Sequence, residues 1–154
     1  MSDSIHKIEK DISESYVYHN PDIQHTYYLL IPSSVESDYT VLLQKNEDDT
    51  WTLPSFEPKE HHFAVVQHIN DIVKERWGLS TATLRCFATQ SDPEKGEIRF
   101  YALDNIGTDV VLLDNLQWVD ENAIRERSFA KSLQGDITLD WFDWRHSDSS
   151  SRAA

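Results

Sequence analysis

Short apolar and aromatic runs separated by polar breakers dominate the first part of the chain. Residues 27–31 and 39–44 form two such runs, which is typical of two strands joined by a loop. An acidic turn follows, and residues 51–53 then form a shorter apolar run that ends at Pro54. The pattern therefore predicts three strands before the first helix.

The next segment changes to helical spacing. Pro58 suits the first turn of a helix and Gly78 suits its C-terminal cap, so we expect a helix over about residues 59–77. Apolar residues at 3.6-residue spacing predict the stripe that faces the core. Its members are Phe63, Val66, Ile69, Val73 and Trp77. Val65 and Ile72 add apolar surface on another side, so the helix is expected to pack between layers.

The segments after this helix again resemble strands. Residues 83–89 and 97–103 are joined by a turn rich in breakers, and apolar runs follow at 110–113 and 116–119. A polar helix is expected to begin near Asp120. Groups of short strands around one strongly periodic helix favour an α+β fold.

Length and polarity indicate how the chain is divided. With 154 residues it suits one domain, for which we expect the bounds 21–146. Residues 1–20 are expected to form an N-terminal arm, and the serine-rich residues 147–154 a flexible tail. No apolar run approaches the length of a membrane span.

Charge and targeting signals exclude several classes of partner. The chain carries 27 acidic and 14 basic residues, a formal net charge of −13, which repels nucleic-acid phosphates and acidic membranes. We therefore expect no nucleic-acid or membrane partner. The N-terminus lacks a basic region followed by an apolar core, and the single Cys86 cannot form an internal disulfide. Both observations favour the cytoplasm.

One side of the predicted helix carries potential metal ligands. His61, His68, Asp71 and Glu75 follow one another at spacings of seven, three and four, so neighbouring members of this series meet on a helix. Imidazole and carboxylate together suit a transition metal. The alternative is a solvated helix flank, because charged helix faces are commonly exposed. Both interpretations stay open on sequence alone.

The run at 51–54, followed by a loop and by the helical end at 73–79, resembles the box that defines the Nudix family. The order of predicted elements also resembles the Nudix domain. The resemblance implies a Nudix-like α/β/α sandwich with a mixed sheet. It covers almost the whole predicted domain.

The charged residues of this helix differ from those of the family. In the family, the helix carries an Arg-Glu pair and then a Glu-Glu pair before the glycine. Aligned on Gly78, the first pair falls on Asp71 and Ile72, and the second on Glu75 and Arg76.

These replacements remove the groups that bind cations in the family. Magnesium needs oxygen ligands, whereas Ile72 supplies none and Arg76 adds a positive charge. The family's loop glycines are replaced by Ser55 and Phe56, whose side chains restrict close approach of the backbone. We therefore expect no cofactor. Mg²⁺ or Mn²⁺ is expected only if hydrolysis is retained.

A narrower resemblance is carried by residues 53–58, 66–70, 77–79 and 84–86. They look like the divergent Nudix-like N-terminal domain that precedes some aminoglycoside-phosphotransferase-like kinase domains. This implies a regulatory or ligand-recognition module, with a kinase-like protein as a candidate partner. A free-standing relative and a detached domain both fit the sequence.

Three functional hypotheses follow. The first is a non-catalytic Nudix-fold binding or interaction domain, in which Arg76 binds a small anionic ligand. The residues expected around this ligand are Phe56, His68, Ile72 and Arg76. The second is a divergent hydrolase of a nucleoside-diphosphate-linked substrate that uses Glu60 and Glu75 with another acid. The third is a structural partner of a kinase-like protein.

Overall fold

The structure is a computed structural model of the chain. It describes residues 24–35, 39–58, 65–94, 96–111 and 113–153. The predicted N-terminal arm lies outside these ranges. Three residues named above also lie outside them, which are the candidate acid Glu60, the candidate metal ligand His61 and the core-stripe residue Phe63.

The described elements follow the predicted order in part, with an additional short strand before the first helix, no strand between Asn105 and Leu116 among the described residues, and an additional helix at the end. The elements up to and including that helix are β1 (His25–Leu30), β2 (Thr40–Lys45), β3 (Trp51–Thr52), β4 (Ser55–Phe56) and α1 (Val65–Trp77). The elements after it are β5 (Thr81–Asp92), β6 (Gly96–Asn105), β7 (Leu116–Asp120), α2 (Glu121–Glu126) and α3 (Ser132–Ala153).

The strands form two adjoining sheets. One has the order β4-β1-β6-β5, in which β1 runs parallel to β6 and antiparallel to β4, and the other has the order β3-β2-β7. The Leu42 backbone N–H donates to the Ile31 carbonyl at 3.0 Å, which links β2 to the end of β1. The mixed sheet is confirmed.

Alternation along β1 divides the core between two helical layers. Tyr27 and Leu29 belong to a buried cluster with the α1 residues Ile69, Val73 and Trp77. Tyr28 and Leu30 belong to the opposite cluster, whose helical members are Ile124 of α2 and Trp141 and Phe142 of α3. Successive strand residues point to opposite faces, so one buried strand serves both layers. The predicted α/β/α sandwich is confirmed.

The core stripe of α1 differs from the prediction at Val66. This side chain is 49% exposed, whereas Ile69 is fully buried and Val65 and Ile72 are partly buried against the same cluster. Helical phase fixes the direction in which a side chain points, but it does not say which turns have a neighbouring layer. The prediction for Val66 was therefore wrong.

The predicted strand at 110–113 is also wrong for the residues that the structure describes. They lie outside the strands, and Val110 is 74% exposed. The preceding Asp109 instead organises this loop by accepting from the Ser33 hydroxyl at 2.7 Å and the Ser34 backbone N–H at 2.6 Å. Partial burial favours the neutral acid, but these hydrogen bonds outweigh it and lower the pKa of Asp109.

A capping residue marks the start of the first C-terminal helix. Asp120 is the N-cap of α2 and accepts from the Ala123 backbone N–H at 2.8 Å, close to the predicted helix start. α3 continues through residues 147–153, where we expected a tail without regular structure. The flexibility of that tail stays a prediction. None of the described helices is both long and apolar enough to cross a bilayer.

Candidate functional site

Phe56 is the centre of the candidate site. It lies on β4, the edge strand of the larger sheet, and its ring is only 3% exposed. The ring packs edge-on against Tyr27 at 5.4 Å and against His68 of α1 at 5.6 Å between centroids. The structure therefore brings the side chains of Phe56 and His68 together, and Phe56 belongs to a short strand instead of a loop.

Arg76 approaches the same ring from the last turn of α1. Its guanidinium carbon lies 5.9 Å from the Phe56 ring centroid, a cation–π arrangement, and its side chain is exposed. Within the described part of the chain, no carboxylate forms an ion pair with Arg76. A cation in the last turn also interacts favourably with the helix dipole. Arg76 is thus held in place while its charge remains available.

A cleft of about 420 Å³ opens beside this pair. It is lined by Thr26, Ser55, Phe56, Glu57 and Arg76. The Glu57 carboxylate accepts from the Gln24 side-chain amide at 2.7 Å, so the cleft contains a cation on the helix side and an anion on the sheet side. Sequence reasoning did not predict Thr26, Ser55 and Glu57 as lining residues. Thr26 belongs to no motif, and Ser55 and Glu57 lie in the stretch that resembles the Nudix box without matching one of its functional residues.

Two predicted ligand contacts, His68 and Ile72, are not among the residues that line this cleft. Ile72 is partly buried and packs with the α1 core. His68 contacts the edge of Phe56. The structure therefore does not bring these two residues to the cleft, and their contact with a ligand stays a prediction.

The described residues do not fit a divalent cation. No group of three or more His, Cys, Asp or Glu side chains among them could hold a metal ion. Asp71 instead accepts from the Gln67 side-chain amide at 2.7 Å, and both Asp71 and Glu75 are exposed. Glu60 lies outside the described ranges. Asp71 and Glu75 thus lie on an exposed polar flank, His68 packs against Phe56, and His61 lies outside the described residues, so the metal interpretation of this series stays a prediction.

A second, smaller cavity lies between the sheet and the start of α3. Its volume is about 190 Å³. The lining residues are Tyr28, Gln90, Asp92, Ile98, Phe100, Lys131, Ser132, Leu133 and Gln134. Tyr28 and Phe100 stack at 5.3 Å between centroids with planes 21° apart, so one wall is a paired aromatic surface. Sequence reasoning did not predict this cavity.

Gln134 fixes the helical wall of the second cavity. Its side chain is 3% exposed, and its Oε1 atom accepts from the Thr52 hydroxyl and the Leu53 backbone N–H, each at 2.8 Å. A buried amide that accepts two hydrogen bonds is held in one orientation. The start of α3 is thereby attached to the chain segment that leads into β4.

The two cavities are neighbours on the sheet. Tyr28 lines the second cavity, Ser55 lines the cleft, and these residues are cross-strand partners on β1 and β4. The side chains of directly opposite residues in an antiparallel pair lie about 5 Å apart. The Tyr28 and Phe100 rings face α2 and α3, however, whereas Phe56 packs on the side of α1, so the sheet separates a ligand in the cleft from the aromatic wall of the second cavity.

Solved structures share this architecture. A NUDIX hydrolase from Nitrosomonas europaea matches with a TM-score of 0.65 and 16% sequence identity, over 84% of this chain and 75% of that one. A hydrolase of the NUDIX family from Clostridium perfringens matches with a TM-score of 0.63 and 10% identity, over 80% of this chain and 98% of that one.

A longer structure also contains the fold. A proposed oxidoreductase from Sinorhizobium meliloti 1021 matches with a TM-score of 0.64 and 14% identity over 92% of this chain, which spans only 44% of that protein. No family model matches the chain, and no curated protein matches it in sequence. Identities this low show the fold and leave the activity open. The chain therefore has a Nudix-like fold.

Proposed function

We propose that the chain is a Nudix-fold binding domain that holds a small anionic ligand in the cleft between β4 and α1. The observation that carries this proposal is Arg76, whose guanidinium is positioned over Phe56 at the wall of a cleft of about 420 Å³. A guanidinium binds phosphate or carboxylate through paired hydrogen bonds without needing a metal. Arg76 then supplies the positive charge that a bound cation supplies in a metal-dependent site.

Glu57 restricts how such a ligand lies in the cleft. Its carboxylate repels an anionic group, so that group is expected at Arg76, on the helix side. Hydrogen-bond donors of the ligand, such as hydroxyl groups, are expected at Glu57. The second cavity lies on the opposite face of the sheet, so the cleft is expected to hold the whole ligand. Nucleotides and sugar phosphates combine these features and are suitable first probes.

The experiment compares Arg76→Ala with Arg85→Ala. Both residues are exposed, but Arg85 lies on β5 and does not line the cleft, so it serves as the matched control. Nucleotides and sugar phosphates are titrated calorimetrically with a chelator present. A lost charge-assisted hydrogen bond of about 1.5 to 3 kcal/mol weakens binding about tenfold to a hundredfold. The proposal fails if chelator abolishes binding or if Arg76→Ala binds as tightly as the parent.

The second candidate function is a divergent hydrolase, which is favoured by the fold shared with NUDIX hydrolases. It requires a further acid beside Glu60 and Glu75 to bind Mg²⁺ or Mn²⁺, and Glu60 lies outside the described residues. We expect metal-dependent turnover of nucleoside-diphosphate-linked compounds to be absent or very weak, because Ile72 and Arg76 provide no oxygen ligand. Robust turnover that Glu75→Gln abolishes would establish the hydrolase instead. A kinase-like partner and a cytoplasmic location stay predictions.

A further inference from the structure

A second arginine, the half-buried Arg99, lies on the face of the larger sheet that packs against α1. Tyr27, Tyr101 and Cys86 belong to the buried cluster on that face, and Arg99 is the cross-strand partner of Tyr27. Cys86 is the cross-strand partner of Tyr101. Three adjacent strands therefore bring a guanidinium, two phenols and a thiol together.

The neighbours of Arg99 are neutral. Burial is the main reason why the pKa values of Tyr27, Tyr101 and Cys86 are all raised, so the phenols and the thiol keep their protons at neutral pH. Arg99 Nη1 donates to the Tyr101 hydroxyl oxygen at 3.3 Å. In the part of the chain that the structure describes, no carboxylate forms an ion pair with Arg99. Its charge is thus partly removed from water without a counter-charge.

This arrangement has donors to spare. A guanidinium has five N–H donors, and the Tyr101 hydroxyl accepts one of them while retaining its own proton to donate. Partial burial lowers the local dielectric, which strengthens a hydrogen bond between such donors and an anion. A small oxyanion would also provide the missing counter-charge.

We propose that Arg99 and Tyr101, with Tyr27 beside them, form a second anion-binding site that takes a small oxyanion of the phosphate class. The site is separate from the Arg76 cleft. Arg76 lies over Phe56, whereas Arg99 is the cross-strand partner of Tyr27 and is not among the residues that line the cleft. The inference does not depend on the proposed function of the cleft.

Cys86 provides a reporter within the site, because it is the only cysteine in the chain. Burial raises the pKa of its thiol, and the positive charge of Arg99 acts in the opposite direction. An anion bound at Arg99 offsets that charge, so the thiolate fraction falls and alkylation slows. A slowing of about threefold to tenfold corresponds to a rise in the thiol pKa of about half a unit to one unit.

The experiment measures the alkylation rate of Cys86 by iodoacetamide as inorganic phosphate replaces chloride at constant ionic strength. We expect saturable slowing in the parent protein. Arg99→Gln should react more slowly without phosphate and show no further slowing with it. Tyr101→Phe should need more phosphate, and Arg76→Ala should behave like the parent.

Calorimetric titration with phosphate is the second measurement, and Arg99→Lys preserves the charge if Arg99→Gln does not fold. Binding heat attributable to this site should be kept in Arg76→Ala and reduced in Arg99→Lys. The proposal is overturned if phosphate neither slows alkylation nor binds in Arg76→Ala. It is also overturned if Arg99→Gln responds to phosphate as the parent does. Loss of the response in Arg76→Ala would assign phosphate to the cleft alone.

Discussion

Replacing Gln134 with Met tests how the start of α3 is held against the sheet. The two side chains have similar length, but Met has no carbonyl oxygen. The substitution therefore removes the Oε1 atom that accepts from Thr52 and Leu53, each at 2.8 Å, while filling nearly the same space. The test separates the hydrogen bonds of Gln134 from its volume.

The two lost hydrogen bonds have unequal cost. Leu53 is fully buried, so its backbone N–H is left without an acceptor in a place that water does not reach. The Thr52 hydroxyl keeps a second acceptor, the Leu53 carbonyl at 3.2 Å. An unsatisfied buried donor costs about 1 to 3 kcal/mol, so Leu53 should account for most of the loss.

Urea unfolding followed by tryptophan fluorescence measures this loss. With a denaturant slope of about 1 to 3 kcal/mol per molar, the midpoint of Gln134→Met should fall by about 1 M at an unchanged slope. Gln117→Met is the matched control, because Gln117 is an exposed residue of β7. If Gln134→Met unfolds within about 0.5 kcal/mol of the control, the two hydrogen bonds do not stabilise the fold as argued.

Three further predictions test the packing, the backbone and the charges. Ile69→Ala should lower the free energy of unfolding by about 2 to 5 kcal/mol, and Val66→Ala by less than about 0.5, in the same urea assay. Gly96→Ala should lower the free energy of unfolding by about 1 to 2 kcal/mol because of the positive φ alone. It should lose more through steric overlap, because a Cβ atom there would lie 2.3 Å from the Gln24 carbonyl oxygen. Circular dichroism during heating should show a lower thermal midpoint. Because the pKa of Asp109 is lower in the folded protein, the ionised carboxylate stabilises the fold at a pH above the pKa that Asp109 has in the unfolded chain. This stabilisation is lost as the pH falls through the pKa of Asp109 in the folded protein. The stability advantage of the parent over Asp109→Asn should therefore shrink between pH 7 and about pH 3.

Most of the helices and strands were predictable because the pattern of each one lies in a single continuous segment of the sequence. Every residue of β1 is buried, which matches the continuous apolar and aromatic run in the sequence. Gly78 ends α1 with a positive φ of 78°, as its position after the periodic segment predicted. The parallel pairing of β1 with β6 was not predictable in this way, because it depends on how distant segments meet.

The candidate site was predictable only where one motif contains its residues. Phe56 and Arg76 belong to the stretch that resembles a Nudix box, and the structure brings them together. Ile72 was assigned to the ligand from its motif position alone. Its side chain is apolar and one turn before Arg76, so it gains more from packing against the core than from lining a polar cleft.

The second cavity shows why some of the cavity-lining residues could not be predicted from the sequence. Tyr28 reads as an ordinary strand residue and Gln134 as an ordinary polar residue of a helix. In the structure, Tyr28 pairs with Ser55, and Gln134 accepts a hydrogen bond from Leu53. Tyr28 and Gln134 therefore both contact the segment 53–56. That segment also carries Phe56, so the position of Arg76 and the shape of the neighbouring cavity both depend on it. Ligand binding in the cleft should therefore be weakened by Gln134→Met, even though Gln134 lies on the opposite side of the sheet from α1.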